Sequence, residues 1–103
     1  MKNISFDKTS KEFIRYLGSV GISNNSIKFY KSDLKNFSEW FLFQIRSLGV
    51  FTDGLTQALP FLKSSHGNEY KKYLLENKVS DKTINRRLST LRNLSRFLLT
   101  SQI

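Results

Sequence analysis

The 103-residue sequence contains no cysteine, one proline, one histidine and one tryptophan. Without cysteine the chain can form neither a disulfide framework nor a thiolate zinc site, and it fits a reducing, cytoplasmic compartment. A single histidine argues against a histidine-based metal site, and no cofactor is predicted. No apolar run approaches the ~20 residues of a membrane span, and the N-terminus lacks the apolar core of a signal peptide.

Acidic residues are also scarce. The chain has 17 Lys and Arg against 8 Asp and Glu, a net charge of +9 and a pI near 10.1. Such an excess on a small domain indicates a polyanionic partner, either nucleic acid or an anionic membrane surface. The alternative is a soluble protein whose surface is basic without such a partner. A hydrophobic content of 39% with nine Phe predicts a folded core. The length predicts one domain spanning 1–103.

The scarcity of proline and of β-branched runs favours helices over strands. After Ser23, apolar residues recur every three or four positions, as on one face of a helix. These residues are Ile27, Tyr30, Leu34, Phe37 and Phe41. We predict a helix over 24–43 with Ser23 as its N-cap, and we expect Gly21 to end the preceding helix.

The same pattern follows Ser80 and predicts a second long helix over 81–99. Its apolar stripe comprises Ile84, Leu88, Leu91, Leu94 (or Ser95) and Leu98. A shorter helix precedes each long one, over 10–20 and 68–77. The stretch 46–67 between the halves is irregular, with a helical turn expected over 55–63 and limited by Pro60.

The two halves repeat at a constant offset of 57 residues without a gap. The matched pairs are Phe13 and Tyr70, Tyr16 and Tyr73, Leu17 and Leu74, Ile22 and Val79, Ser23 and Ser80, Ser26 and Thr83, Ile27 and Ile84, Leu34 and Leu91, Phe37 and Leu94, and Phe41 and Leu98. The repeat predicts two helical hairpins that form an all-α, four-helix domain with one core. A chance match of two amphipathic hairpins with serine caps is the alternative.

The helix after Ser80 has an apolar face and a basic face, at ~100° per residue. The basic face carries no acidic residue and comprises Lys82, Asn85, Arg86, Ser89, Arg92, Asn93 and Arg96. Arg87 lies at the edge of the apolar stripe, beside Thr83. Lys and Arg neutralise DNA phosphates, and Arg and Asn read guanine and adenine. The face therefore favours DNA binding over a merely solvated surface.

The helix after Ser23 carries a weaker version of this basic face. Lys28, Lys31 and Lys35 lie side by side, and Asn24 and Asn25 stand at the N-terminus. By itself this row describes a solvated face equally well. Because the two long helices have matching caps, their polar N-terminal ends can face the same ligand.

Catalytic constellations are absent from the sequence. His66 has no nearby carboxylate except Glu69, so we predict a surface residue rather than a base. The glycines of the middle stretch form no phosphate-binding pattern, and the scattered aspartates indicate no metal site. The domain is therefore not predicted to be an enzyme.

Six aromatic residues have structural interpretations. Tyr16, Tyr70 and Tyr73 are at core spacing, which argues against a nucleophilic role. Phe29, Trp40 and Phe97 fall off the main stripes. They either complete the packing of the four helices or cover a surface for a missing partner domain.

Two parts of the chain resemble the core-binding domain of tyrosine recombinases, the phage integrases and Xer-like site-specific recombinases. The run SDKTINRRLSTLRNLSRFL over 80–98 resembles the end of that domain. The runs FIRYL at 13–17, GISNNSI at 21–27, YKSDLKNF at 30–37 and WFL at 40–42 resemble its opening helices.

The resemblance implies a SAM-like four-helix bundle whose second and fourth helices grip duplex DNA at the recombination core site. It implies DNA contacts by Asn24, Asn25, Lys28, Lys31 and Lys35 on the second helix and by Lys82, Thr83, Asn85, Arg86, Arg87, Ser89, Arg92, Asn93 and Arg96 on the fourth. It also implies two partners besides DNA, the catalytic domain of the same protein and other protomers in a DNA-bound tetramer. The catalytic domain would follow Ile103 and is absent from this chain. If Met1 is the native start, no additional arm-binding domain is expected.

Two other functions remain open at this point. One is a helical protein-interaction domain whose charge serves only solubility. The other is a membrane-surface protein, which Lys28, Phe29 and Trp40 allow faintly. The preferred interpretation remains that the domain binds duplex DNA and does not bind a membrane.

Overall fold

The computed structural model describes residues 8–52 and 54–101. They form five α-helices, and none of these residues lies in a strand. The helices are α1 (Lys8–Ser19), α2 (Asn24–Arg46), α3 (Leu55–Ala58), α4 (Ser65–Glu76) and α5 (Asp81–Ser101). A 3-10 turn, Leu59–Phe61, follows α3. The prediction of an all-α fold is confirmed.

The four helices predicted from periodicity are all present, and each end lies within three residues of its predicted position. The largest differences are at α2, which continues to Arg46, and at α4, which begins at Ser65. The predicted helical turn is also present as α3 and the 3-10 turn, which contains Pro60 at its start. Proline suits that position because a first-turn N–H has no helical partner.

The chain divides into two compact units, Met1–Leu62 and Lys63–Ile103. In the first unit α1 packs against α2, and α3 contacts both. In the second unit α4 packs against α5. Each unit therefore contains one of the two predicted hairpins.

Aromatic rings dominate the core of the first unit. The rings of Phe13 on α1 and Tyr30 on α2 meet edge-on, with centroids 6.1 Å apart. Phe37 stacks on Phe41 one turn further along α2, at 5.6 Å. Leu55 of α3 is completely buried. Full burial of such side chains contributes about 1.5–3 kcal/mol each, so these contacts account for the packing of α1 and α3 on α2.

The second unit has fewer buried apolar side chains in its described part. They are Tyr70, Leu74, Ile84 and Leu94. Thr90 is also buried, and its hydroxyl donates to the carbonyl oxygen of Arg86 at 3.2 Å. This bond satisfies the hydroxyl within the helix, which lets a polar residue occupy the core-facing side of α5.

The turns of the two hairpins repeat the same hydrogen bonds 57 residues apart. The N–H of Ile22 donates to the carbonyl of Leu17 at 3.1 Å, and the N–H of Val79 donates to that of Leu74 at 3.1 Å. This is the bond that closes a Schellman motif. The predicted N-caps are also confirmed, because Ser23 Oγ accepts from Ser26 N–H at 3.2 Å and Ser80 Oγ accepts from Thr83 N–H at 3.3 Å. The sequence repeat therefore corresponds to a repeat of backbone turns and helix caps.

The structure corrects the prediction that His66 is a surface residue. Because α4 begins at Ser65, His66 lies in its first turn and is only 6% exposed. Its ring Nδ1 accepts a hydrogen bond from the backbone N–H of Lys63 at 2.8 Å, and the backbone N–H of His66 donates to the Lys63 carbonyl. No apolar residue stands over 65–69, so apolar periodicity predicts neither the first turn of α4 nor the burial of its histidine.

The aromatic predictions are partly wrong. Tyr70 is completely buried, but Tyr16 and Tyr73 are each 38% exposed, so they are not core residues. Their equal exposure follows from their equivalent positions in the repeat. Of the residues off the main stripes, Trp40 is buried against Phe37, with ring centroids 5.9 Å apart. Phe97 is half-buried and Phe29 is exposed.

Candidate nucleic-acid interface

Three lysines form a row on the exposed side of α2. Lys28, Lys31 and Lys35, here called the α2 lysine row, are all exposed, as are Asn24 and Asn25 at the N-terminus of the helix. Spacings of three and four residues place the lysines on successive turns of one side. The row spans about 10 Å, at 1.5 Å per residue. It therefore presents positive charge to a polyanion along that length.

Two acidic residues of α2 have different positions relative to this row. Asp33 is buried and has interactions inside the protein, so it contributes no exposed negative charge beside the lysines. Glu39 is exposed one turn beyond Lys35. The positive potential of the row is therefore strongest over the first three turns of the helix.

The exposed side of α5 is richer in arginine. The α5 basic face comprises Lys82, Asn85, Ser89, Arg92 and Arg96, of which only Ser89 is half-buried. Nη2 of Arg92 donates to Ser89 Oγ at 2.8 Å. This bond holds the Arg92 guanidinium back along the helix surface, on the face that also carries Asn85. The face thus has one arginine in a defined orientation.

The positions of the charged residues along α5 explain why this face is positive. Asp81, the one acidic residue of α5, lies in its first turn, where a carboxylate interacts favourably with the helix dipole. The remaining charges of α5 are one lysine and four arginines. Since no acidic side chain stands among them, their positive potentials add instead of cancelling.

Four other predicted contact residues on α5 are half-buried: Thr83, Arg86, Arg87 and Asn93. The Thr83 hydroxyl accepts from Ser80 Oγ at 3.1 Å within the cap. The Nε of Arg87 is buried. The exposed basic face is therefore narrower than the sequence predicts.

The position of Arg87 follows from the true core side of α5. At ~100° per residue, Arg87 projects between Thr90 and Ile84, and both of those residues are buried. The apolar residues alone place the centre of the buried side near Ile84, about 60° around the helix from Arg87. A buried threonine adds nothing to that apolar pattern. A buried threonine thus moves Arg87 from the edge of the stripe to the core side.

Some of the polar residues on the two surfaces occupy equivalent positions in the two hairpins. Lys35 and Arg92 are 57 residues apart, and so are the pairs Asn25 and Lys82, Lys28 and Asn85, and Ser32 and Ser89. These four pairs lie on the same side of each long helix relative to its own core, whereas Lys31 corresponds to Leu88 and Arg96 corresponds to Glu39. The residue types differ within the pairs, since α2 offers Lys28 and Lys35 where α5 offers Asn85 and Arg92.

A family model described as "Phage integrase, N-terminal SAM-like domain" matches residues 11–102. The chain belongs to this family. The match runs from the first turn of α1 through α5 and confirms the resemblance seen in the sequence. No curated protein and no solved structure gives a significant match. The integrase domain described here is the N-terminal SAM-like part of such proteins, not their catalytic domain.

This integrase domain also exposes apolar side chains near the end of α2. Phe43, Leu48 and Phe51, here called the apolar cluster, are 68%, 72% and 74% exposed. The guanidinium carbon of Arg46 lies 5.8 Å from the ring centroid of Phe51. Sequence reasoning does not single these residues out. The available signal is their position beyond the end of the apolar stripe.

Sites of two other kinds are absent from the described part of the chain. In 8–52 and 54–101, no helix is both long enough and apolar enough to cross a bilayer. The same part of the integrase domain brings no three histidine or carboxylate side chains together as a metal-ligand set. The basic surfaces of α2 and α5 remain the leading candidates for a functional site.

Proposed function

We propose that this chain is a DNA-binding domain of a site-specific tyrosine recombinase or integrase. It grips duplex DNA at the recombination core site through α2 and α5 during integration or recombination. The observation that carries the proposal is the exposed α5 basic face, free of acidic side chains, in a member of the integrase family. The domain acts in the cytoplasm with the catalytic domain of its parent protein and with other protomers in a DNA-bound tetramer.

The chemistry of the two surfaces supports a duplex ligand. Lysine and arginine replace the counterions condensed on DNA, and this release favours binding at low salt. Serine hydroxyls and asparagine amides add hydrogen bonds to phosphate oxygens and to base edges. A surface that serves only solubility normally mixes acidic with basic side chains, whereas α5 carries no acidic side chain beyond Asp81 in its first turn.

The proposal is tested by titrating a labelled duplex with the chain at several salt concentrations and following fluorescence anisotropy. The triple variant Lys28→Ala/Lys35→Ala/Arg96→Ala removes three exposed charges from the two surfaces. If all three contact phosphates, the log–log salt slope should fall in magnitude by about 2.7. Affinity should fall most strongly at low salt.

The matched control removes three exposed charges elsewhere, with Lys11→Ala/Lys71→Ala/Lys72→Ala. These lysines lie on α1 and α4, and the control has the same net charge as the test variant. A control slope close to that of the unmodified chain supports the proposal. Equal losses in both variants would mean that only net charge attracts DNA, and an absence of duplex binding would reject the proposal outright.

A second candidate function is a basic helical protein-interaction domain that does not bind DNA. The apolar cluster favours it, because it exposes three large apolar side chains within nine residues of sequence and exposed apolar surface is typical of interaction sites. This function predicts no duplex binding at physiological salt and saturable binding to a protein partner. The titration described above separates the two functions.

A further inference from the structure

The two basic surfaces carry different types of side chain. The inference drawn from this difference rests on the proposed function. We infer that the α5 basic face makes the sequence-selective base contacts, whereas the α2 lysine row binds phosphates without reading sequence. Asn85 and Arg92 are the base-reading residues, and Lys28 and Lys35 are their phosphate-binding counterparts in the repeat.

The residue types carry the first step. The α2 lysine row contains only ammonium groups, which are compact point charges with three freely rotating donors. Such groups suit phosphate oxygens, and without the rigid planar fork of arginine they fix base geometry less strictly. Arg92 and Asn85 have planar groups that match guanine and adenine bidentately in the major groove. Four of the six arginines of the chain lie on α5, so this asymmetry extends along the whole helix.

The second step is the orientation of Arg92. A surface arginine normally loses conformational freedom when it contacts a base, and that loss weakens the contact. The 2.8 Å bond from Arg92 to Ser89 Oγ already restricts the guanidinium in the free protein. At the equivalent position of α2, Lys35 is exposed and has no planar group to present. Orientation thus favours Arg92 as the base reader.

The third step is spacing. Asn85 and Arg92 are seven residues apart on exposed turns of α5, which corresponds to about 10 Å along the helix axis. Base pairs rise by about 3.4 Å each along the duplex axis, and a helix that follows the major groove is inclined to that axis, so the two side chains are separated by roughly two base-pair steps. The expected preference is therefore one guanine and one adenine about two base pairs apart.

The test is selection of bound duplexes from a randomised pool with the full chain, followed by affinity measurements on the preferred sequence and its single-base variants. We expect enrichment of that guanine and adenine. Arg92→Lys keeps the charge, so the salt slope should stay unchanged while discrimination at the guanine falls about tenfold. Asn85→Ala should remove the preference for adenine alone.

The matched variant is Lys35→Ala, at the position equivalent to Arg92. It should weaken binding to all sequences equally and lower the salt slope by about 0.9. Circular dichroism confirms that each variant keeps the helical spectrum, which we expect because all three positions are exposed.

The outcomes separate this inference from the function on which it rests. Duplex binding without any enriched sequence would overturn the assignment of base reading to α5 and leave the DNA-binding proposal standing. So would unchanged guanine discrimination in Arg92→Lys, or altered sequence preference in Lys35→Ala. A chain that binds no member of the pool at low salt would overturn both.

Discussion

Gly21 and Lys78 lie 57 residues apart and occupy the same left-handed backbone position in the two hairpins, with φ of +91° and +58°. The N–H of Gly21 donates to the carbonyl of Gly18 at 3.2 Å, and the N–H of Lys78 donates to that of Leu75 at 3.0 Å. A left-handed conformation costs a residue with a Cβ roughly 1–2 kcal/mol. The turn therefore imposes this geometry even where the sequence supplies lysine.

The first prediction concerns these two turns. Lys78→Gly should raise the free energy of unfolding by about 0.5 kcal/mol, because relief of backbone strain exceeds the added entropy of the unfolded chain. Gly21→Ala should lower it by about 1 kcal/mol through strain alone, since a Cβ at Gly21 meets no atom within 4 Å. Urea unfolding followed by circular dichroism measures both changes.

Gly67 provides the control for these substitutions. It lies within α4, does not have a positive φ, and a Cβ added there would likewise meet no atom within 4 Å. Gly67→Ala should stabilise the chain by about 0.5–1 kcal/mol, because alanine is the better helix former. A stabilising effect of Gly21→Ala would contradict the equivalence of the two turns.

The second prediction concerns the start of α1, which is capped from α3. The Thr56 hydroxyl accepts from the N–H of Thr9 at 3.1 Å and donates to Thr9 Oγ1 at 2.8 Å. First-turn N–H groups have no partner within their own helix. Thr56→Val keeps the shape but removes both bonds, so the free energy of unfolding should fall by about 1–2 kcal/mol. Thr56→Ser retains the hydroxyl and should cost less than half as much in the same urea experiment.

The third prediction follows from the burial of His66. His66→Ala removes the acceptor for the Lys63 N–H and leaves unfilled space, so the free energy of unfolding should fall by about 2 kcal/mol. Asn68→Ala, at an exposed position of the same helix, should stay within about 0.5 kcal/mol of the unmodified chain. Thermal unfolding compares the two. Equal small effects would restore the interpretation of His66 as a surface residue.

Local rules make part of this structure predictable from sequence, and distant contacts decide the rest. Apolar periodicity and serine caps locate the four main helices, because a helix face and an N-cap are set by residues three or four positions apart. The cap of α1 by Thr56 joins residues 47 apart and leaves no local signal. Burial of Thr90 likewise has no local apolar signal, and it places the buried side of α5 closer to Arg87 than the apolar stripe predicts.

The fourth prediction separates Arg87 from Arg96, both of which the family resemblance places at the DNA. Arg87 projects to the core side of α5 and is half-buried, whereas Arg96 is exposed. Arg87→Ala should lower the free energy of unfolding by about 1–2 kcal/mol and change the salt slope of duplex binding little. Arg96→Ala should lower the slope by about 0.9 and leave stability nearly unchanged. The reverse pattern would show that the buried side of α5 has been assigned incorrectly.

The central claim is that duplex DNA binds the exposed basic surfaces of α2 and α5. The most direct measurement is a titration of the isotopically labelled chain with a short duplex, followed by nuclear magnetic resonance shifts of each backbone amide. The account predicts the largest shifts over 24–35 and 82–96, with small shifts in α1 and α4. Shifts confined to the apolar cluster at 43–51, or no shifts at a duplex concentration that saturates a basic control protein, would contradict it.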